Sequence, residues 1–303
     1  MTGPDPTLIE AAKVDSQEAS SRLLLVARRF LRQRLAVSGL VIVLLLFALA
    51  YLTPYLGHWQ YNQLDTNAFL SPPGADHWFG TTQNGFDMFA LTMRGMQKSL
   101  VIGLLGALIA TSLAAVVGAF AGYFGGVLNT LLLTLVDLLL VLPAFLIIAI
   151  LSPTFRGRTW LIFVLLLAAF QWMIAARIVR GMTLSLRERE FVQAARFMGV
   201  PGWQIIFRHI LPNMASLLII DGTVNVSSLI LAEVGLSFFG FGVQPPDVSL
   251  GTLIGDHAGA ALTYPWEFYF PAGFLVVLVL AINLVGDGLR DAFDPNARVR
   301  ATP

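Results

Sequence analysis

Four side chains that could do chemistry fall inside long apolar runs of this sequence: Asp137, Asp221, Asn225 and Glu233, with Asp287 near the end of another. A carboxylate at the centre of a lone membrane helix costs roughly 2.5–3.5 kcal/mol on insertion scales, so such groups face a bundle interior or water. Three chemistries are open to them. Asp137 and Asp221 could form an aspartic hydrolytic dyad, but "LVGDG" around Asp287 lacks Gly-x-Gly-Asp, and Gly235-Leu-Ser237-Phe lacks the Gly-x-Ser-Gly of a serine type. They could line a polar path through the bilayer, the reading favoured for Glu233. They could instead hold the bundle together by interhelical hydrogen bonds, each worth about 0.6 kcal/mol, the reading favoured for Asp137 and Asp221.

Other chemistry is excluded more firmly. No cysteine is present, which removes thiolate catalysis and thiolate metal sites. His58, His77, His209 and His257 do not cluster at metal-ligand spacing. A phosphate-binding loop needs G-x-x-x-x-G-K-[ST]; the only lysines are Lys13 and Lys98, and neither stands in that frame. The chain is expected to bind no metal, cofactor or nucleic acid and to catalyse nothing by itself.

The elements that must position these residues are membrane helices. Of 303 residues, 56 % are hydrophobic and 12 % charged, about half the charged fraction of a soluble domain. The apolar residues gather into six runs near the roughly 20 residues a span requires: 35–52, 99–123, 128–151, 160–178, 215–239 and 268–285. The late, full-length first run predicts a retained anchor rather than a cleaved signal. Arginines crowd before the first run, between the fourth and fifth, and after the sixth, whereas only Arg94, Lys98, Arg156 and Arg158 fall on the other side. The positive-inside rule then places both termini in the cytoplasm. The expected order is a cytoplasmic tail (1–34), an anchor (35–56), an external loop (57–98), a five-helix core (99–290) and a cytoplasmic tail (291–303). The core contains a basic loop (180–214) and a second external loop (240–267).

That basic loop, "REREFVQAARFMGVPGWQIIFRHILPN" (Arg187–Asn213), predicts two short helices. Phe191, Ala194, Ala195 and Met198 recur at i, i+3, i+4 and i+7, one face of a helix. Gly199 suits a C-cap, Pro201 the first turn of a second helix, and Pro212 its end. An interfacial helix on anionic lipid is one reading of this elbow. Ala194–Ala195 offers lipid little and a protein surface close approach, so a docking face is the other.

The same stretch resembles the Glu-Ala-Ala signature of ABC-importer permeases, carried here by Ala194, Ala195, Gly199, Leu211 and Pro212. "FRHILPN" (Phe207–Asn213) is similar to the form found in the dipeptide/oligopeptide (and nickel) permease family. "AEVGLSFFGFGVQPPDVSLGTLI" (Ala232–Ile254), "NLVGDGLRDAFDP" (Asn283–Pro295) and "HWFGTTQNGFDMF" (His77–Phe89) resemble three further stretches of its C-type subunit. Gln193 stands where the signature has its acidic residue, and Thr82 and Phe86 replace an Asp and an Arg. If those two pair in relatives, losing both strands no charge.

The resemblance implies an all-α type I importer permease with six spans, multi-pass in the inner membrane. It implies a second homologous permease, cytoplasmic ATPases carrying ATP and magnesium, and an external substrate-binding protein as partners, beside membrane lipid. The elbow, with Phe191, Gln193, Ala194, Ala195, Met198, Gly199, His209, Leu211 and Pro212, would couple to the ATPases. Asp137, Asp221, Asn225 and Glu233 would line the path, and Phe241, Gln244, Pro245 and Pro246 would face outside. The implied substrates are di- or oligopeptides, with glutathione-like molecules, nickel and sugars also open. The rival is a channel or secondary transporter without an ATPase, which has no use for the elbow.

Overall fold

The computed structural model describes residues 24–155 and 160–293. Most of the expected terminal tails lies outside these residues. Among them the chain is all helical, with only two isolated bridges, Leu64 to Phe86 and Thr81 to Asp87.

α1 (Arg34–Leu56) is the first span. α2 (Met88–Phe124) is the organising element, and its 37 residues make a rod of about 55 Å at 1.5 Å per residue, far longer than a hydrocarbon core of about 30 Å. It starts eleven residues ahead of the apolar run that marked it, because Asp87 caps it: its carboxylate accepts the Ala90 N–H at 2.7 Å. The small residues along α2 permit close helix approach. A Cβ on Gly103 would lie 2.8 Å from Ile230, and one on Gly118 or Gly122 would strike Ala176 or Thr183. α2 therefore touches most of the other spans.

Two expected spans are broken. Residues 128–151 form α3 (Gly126–Val141) and α4 (Ala144–Leu151), bent by 77° at Pro143. Proline removes one helical hydrogen bond and clashes with the preceding turn. The next pair, α5 (Leu161–Gln171) and α6 (Met173–Arg187), bends by 48° at Trp172. After the elbow come α9 (Ala215–Phe238), the short α10 (Leu250–His257) and α11 (Pro265–Phe293). Among the described residues four helices are long and apolar enough to span; counting each bent pair as one gives six. α1 packs along α11 with Gly39 against the Ala281 carbonyl, and is tied to α2 by the Gln97 amide, which donates to the Ala50 carbonyl at 2.6 Å. The main core, including Met96, Leu100, Leu229, Ile230 and Leu278, lies between α2, α9 and α11.

Candidate functional site: the elbow and the loop-end cleft

The elbow lies between the end of α6 and the start of α9. α7 (Glu190–Phe197) is its first arm. It closes in a Schellman pattern: Val200 N–H donates to the Ala195 carbonyl at 3.1 Å and Gly199 N–H to the Arg196 carbonyl at 3.0 Å. Gly199 takes φ = +77°, a conformation that costs an L side chain strain and glycine nothing. Pro201 is the N-cap of α8 (Gly202–Ile205) rather than part of its first turn. The second arm does not stop before Pro212. It passes through a π turn (Ile206–Ile210) and a last turn (Leu211–Asn213) directly into α9.

The inner side of the elbow is apolar and cemented. Val192, Ala195, Ile205, Ile206, Ile210 and Met214 are buried against Ala119 of α2 and Val179 of α6. Gly202 fits against the ring of Tyr123, and Arg187 donates to the Tyr123 carbonyl at 3.3 Å, satisfying the end of α2. Ala195, expected on the docking face, is thus 2 % exposed and turned into the chain's own core. Phe191, Ala194 and Met198 do face outward. The elbow exposes more large apolar side chains than expected: Phe197 (89 % exposed), Met198 (76 %), Trp203 (55 %) and Phe207 (50 %). Gln193 is exposed beside them and donates to the Glu188 carbonyl at 3.3 Å. His209 and Leu211 are half-buried, and Pro212 is exposed.

The four intramembrane polar residues do not meet at one site; only Asp221 and Asn225 come together. Asp137 on α3 forms an ion pair with Arg177 on α6, both half-exposed, and Arg180 donates to Asn129 at 2.6 Å one turn along. Arg177 lies in the second half of the bent span, on α6. Asp221 accepts from Thr111 and Asn225, each at 2.9 Å, and Asn225 accepts from Gln171 at 3.3 Å. That network staples α9 to α2 and α5. Glu233 is 0 % exposed; its Oε1 accepts from Ser237 at 2.6 Å and Ser249 at 2.5 Å. Ser249 also caps α10, so Glu233 anchors that helix to α9.

At the opposite end the two long loops enclose a cleft of about 700 Å³ whose lining includes Gln244, Pro245 and Pro246. Phe241 is instead part of the main core's edge. Gln244 donates to the Gly240 and Gly242 carbonyls at 3.2 and 3.0 Å, bracing the loop ahead of a cis Pro245–Pro246 bond. Asp247 pairs with Lys98 at 2.7 Å, and the Lys98 ammonium lies 4.4 Å over the Trp160 ring. Sequence reasoning missed this junction because its three members are far apart in the chain. The two departures near α2 are accounted for locally. Thr82 is buried, and its Oγ1 accepts the Phe86 and Asn84 N–H groups at 3.1 and 3.3 Å, closing the turn. Phe86 packs on the cluster of Met88, Leu91 and Leu253.

Residues 114–299 match the family described as binding-protein-dependent transport system inner membrane component, and 21–73 match the N-terminal transmembrane domain of oligopeptide transport permease C. The chain belongs to this permease family. It is 56 % identical to the oligopeptide transport system permease protein OppC of Mycobacterium tuberculosis, over 93 % of this chain and 97 % of that one. To OppC of Escherichia coli it is 40 % identical, over 89 % and 90 %. Among solved structures, an inward-facing methionine ABC transporter, MetNI, matches with a TM-score of 0.55 at 19 % identity, covering 68 % of this chain and 98 % of that one. The fold is thus that of an ABC importer permease, and the permease is a multi-pass protein of the inner membrane.

Proposed function

We propose that the permease forms half of the translocation path of an ATP-driven oligopeptide importer, with its elbow seated on a cytoplasmic ATPase. The observation that carries the docking is the exposure of Phe191, Phe197, Met198, Trp203 and Phe207, a row of large apolar residues along the sequence of a short, basic segment. Exposed apolar patches of this kind mark protein contact sites, and aromatic residues and methionine are enriched in interface cores. The buried inner side makes the elbow rigid with α2 and α6, so displacement of the row moves those helices. The basic residues around it support a cytoplasmic position for this end. The ATP and magnesium then belong to the partner chains, and this chain supplies no catalytic group.

The half-exposed Asp137–Arg177 pair supports a path along α3 and α6, facing water or the second permease, because a charged pair at membrane depth avoids lipid. Peptide substrates are supported by the names of the relatives. The test is uptake of a labelled oligopeptide by the reconstituted importer with its binding protein. ATP-dependent uptake that is lost in Phe197→Asp, with the ATPase no longer co-purifying, supports the reading. Uptake driven by an ion gradient and indifferent to ATP overturns it in favour of a secondary transporter.

A further inference from the structure

The loop-end cleft has the size of an ordinary ligand pocket, about 300–1,000 Å³, but sits off the spans. Nearly all of its wall comes from the two loops and α10, with Leu91 and Ser237 contributed by terminal turns of α2 and α9. A solute crossing the bilayer has no need to enter it, whereas a macromolecule resting on this end of the permease meets it first.

Its charge has one sign. Asp247 is already neutralised by Lys98. Asp256 is exposed, lines the cleft and has no ion-pair partner among the described residues. It also stands in the last turn of α10, where the helix dipole disfavours a carboxylate, so its position does nothing for the fold. Behind the wall Glu267 is buried, with Oε1 lacking any hydrogen-bond partner and lying 3.9 Å from Nε2 of His257. The side-chain amides of Asn62, Gln83 and Asn84, also on the wall, are unpartnered among the described residues. Phe86, Val248 and Leu253 give the cleft an apolar floor.

We infer that this cleft receives a lysine or arginine side chain projecting from the external binding protein, with Asp256 as its ion-pair partner. This rests on the importer reading above. A long cationic side chain suits the cleft in each part: its stem covers the apolar floor while its head stays polar, and the free amide oxygens accept the N–H groups that Asp256 leaves. Asp247 on the same wall is joined through Lys98 to α2 and Trp160, so the occupant lies one ion pair from two spans.

The test measures affinity of the cognate binding protein for the assembled importer in nanodiscs, with Asp256→Asn and Asp256→Lys, yield and melting temperature serving as fold controls. The expected result is a loss of about tenfold for Asp256→Asn, more for Asp256→Lys, and recovery of Asp256→Lys binding by one Lys→Glu or Arg→Glu change on the binding protein. Unchanged affinity in Asp256→Lys overturns the inference while leaving the importer intact. Normal affinity with impaired peptide uptake also overturns it, since the cleft would then serve the solute. If the binding protein does not associate with the unmodified importer, the partner assignment itself fails.

Discussion

The elbow and the loop-end cleft cap opposite ends of the same rod, α2, and are built on opposite plans. The elbow is convex, with aromatic residues and methionine outside and a sealed apolar underside of Val192, Ala195 and Ile205. The cleft is concave, polar at its wall, and held by individual hydrogen bonds and the Lys98–Asp247 pair. An apolar underside transmits force because close-packed interiors yield little. A wall held by separate polar contacts can recognise a partner and be re-formed at modest cost per contact. The permease is therefore stiff at its elbow and adaptable at its loop end, which suits the two proposed contacts.

The sharpest way to break this contrast is to charge each side of the elbow in turn. Val192→Asp puts an unpaired carboxylate into the sealed underside and should destabilise the protein by about 3–5 kcal/mol, seen as loss of monodisperse material and a lower melting temperature. Phe197→Asp, on the open side, should leave melting nearly unchanged while abolishing ATPase association. Equal melting losses would erase the distinction between the two faces.

A smaller effect is expected at the hinge between the arms. Gly199→Ala meets no neighbouring atom, so its cost is backbone strain alone, about 1–2 kcal/mol. The elbow should persist, with a lowered melting temperature and a reduced ratio of transport to ATP hydrolysis.

The smallest effect belongs to the polar end. Asp65 accepts from the Asn67 N–H at 2.8 Å and pairs with His77 at 3.3 Å, and these bonds hold its carboxyl below the usual aspartate range. A depressed folded pKa contributes stability that is present above the unfolded value and lost as pH falls through the folded one. Acidification below the normal aspartate range should therefore loosen the first loop before the spans. Trp59, stacked on His77 at 4.8 Å, reports this by fluorescence. Asp65→Asn should flatten the acid limb.

Much of this architecture was legible in the sequence, for physical reasons. Six apolar runs are a one-dimensional signal, and so is the Gly-Val-Pro-Gly break of the elbow. The orientation of α7 was harder, because an eight-residue helix carries apolar side chains nearly all round it. Phe191–Ala194–Met198 and Val192–Ala195 are two stripes about 100° apart, and only packing on α2 and α6 decides which is inward. Glu233 was favoured as a path residue from its neighbours in sequence; its burial depends on Ser249, sixteen residues on, folding back as the cap of α10. The Asp137–Arg177 pair was hidden because its members lie 40 residues apart on different helices.

The open face of the elbow, not its Ala195 side, is the one expected to meet the ATPase. The chain has no native cysteine, so single cysteines at Phe197 and at Val192 provide clean probes for cross-linking to the ATPase in native membranes. Efficient cross-links are expected from Phe197→Cys and none from Val192→Cys in folded protein. Cross-linking from Val192→Cys with Phe197→Cys silent would contradict that expectation.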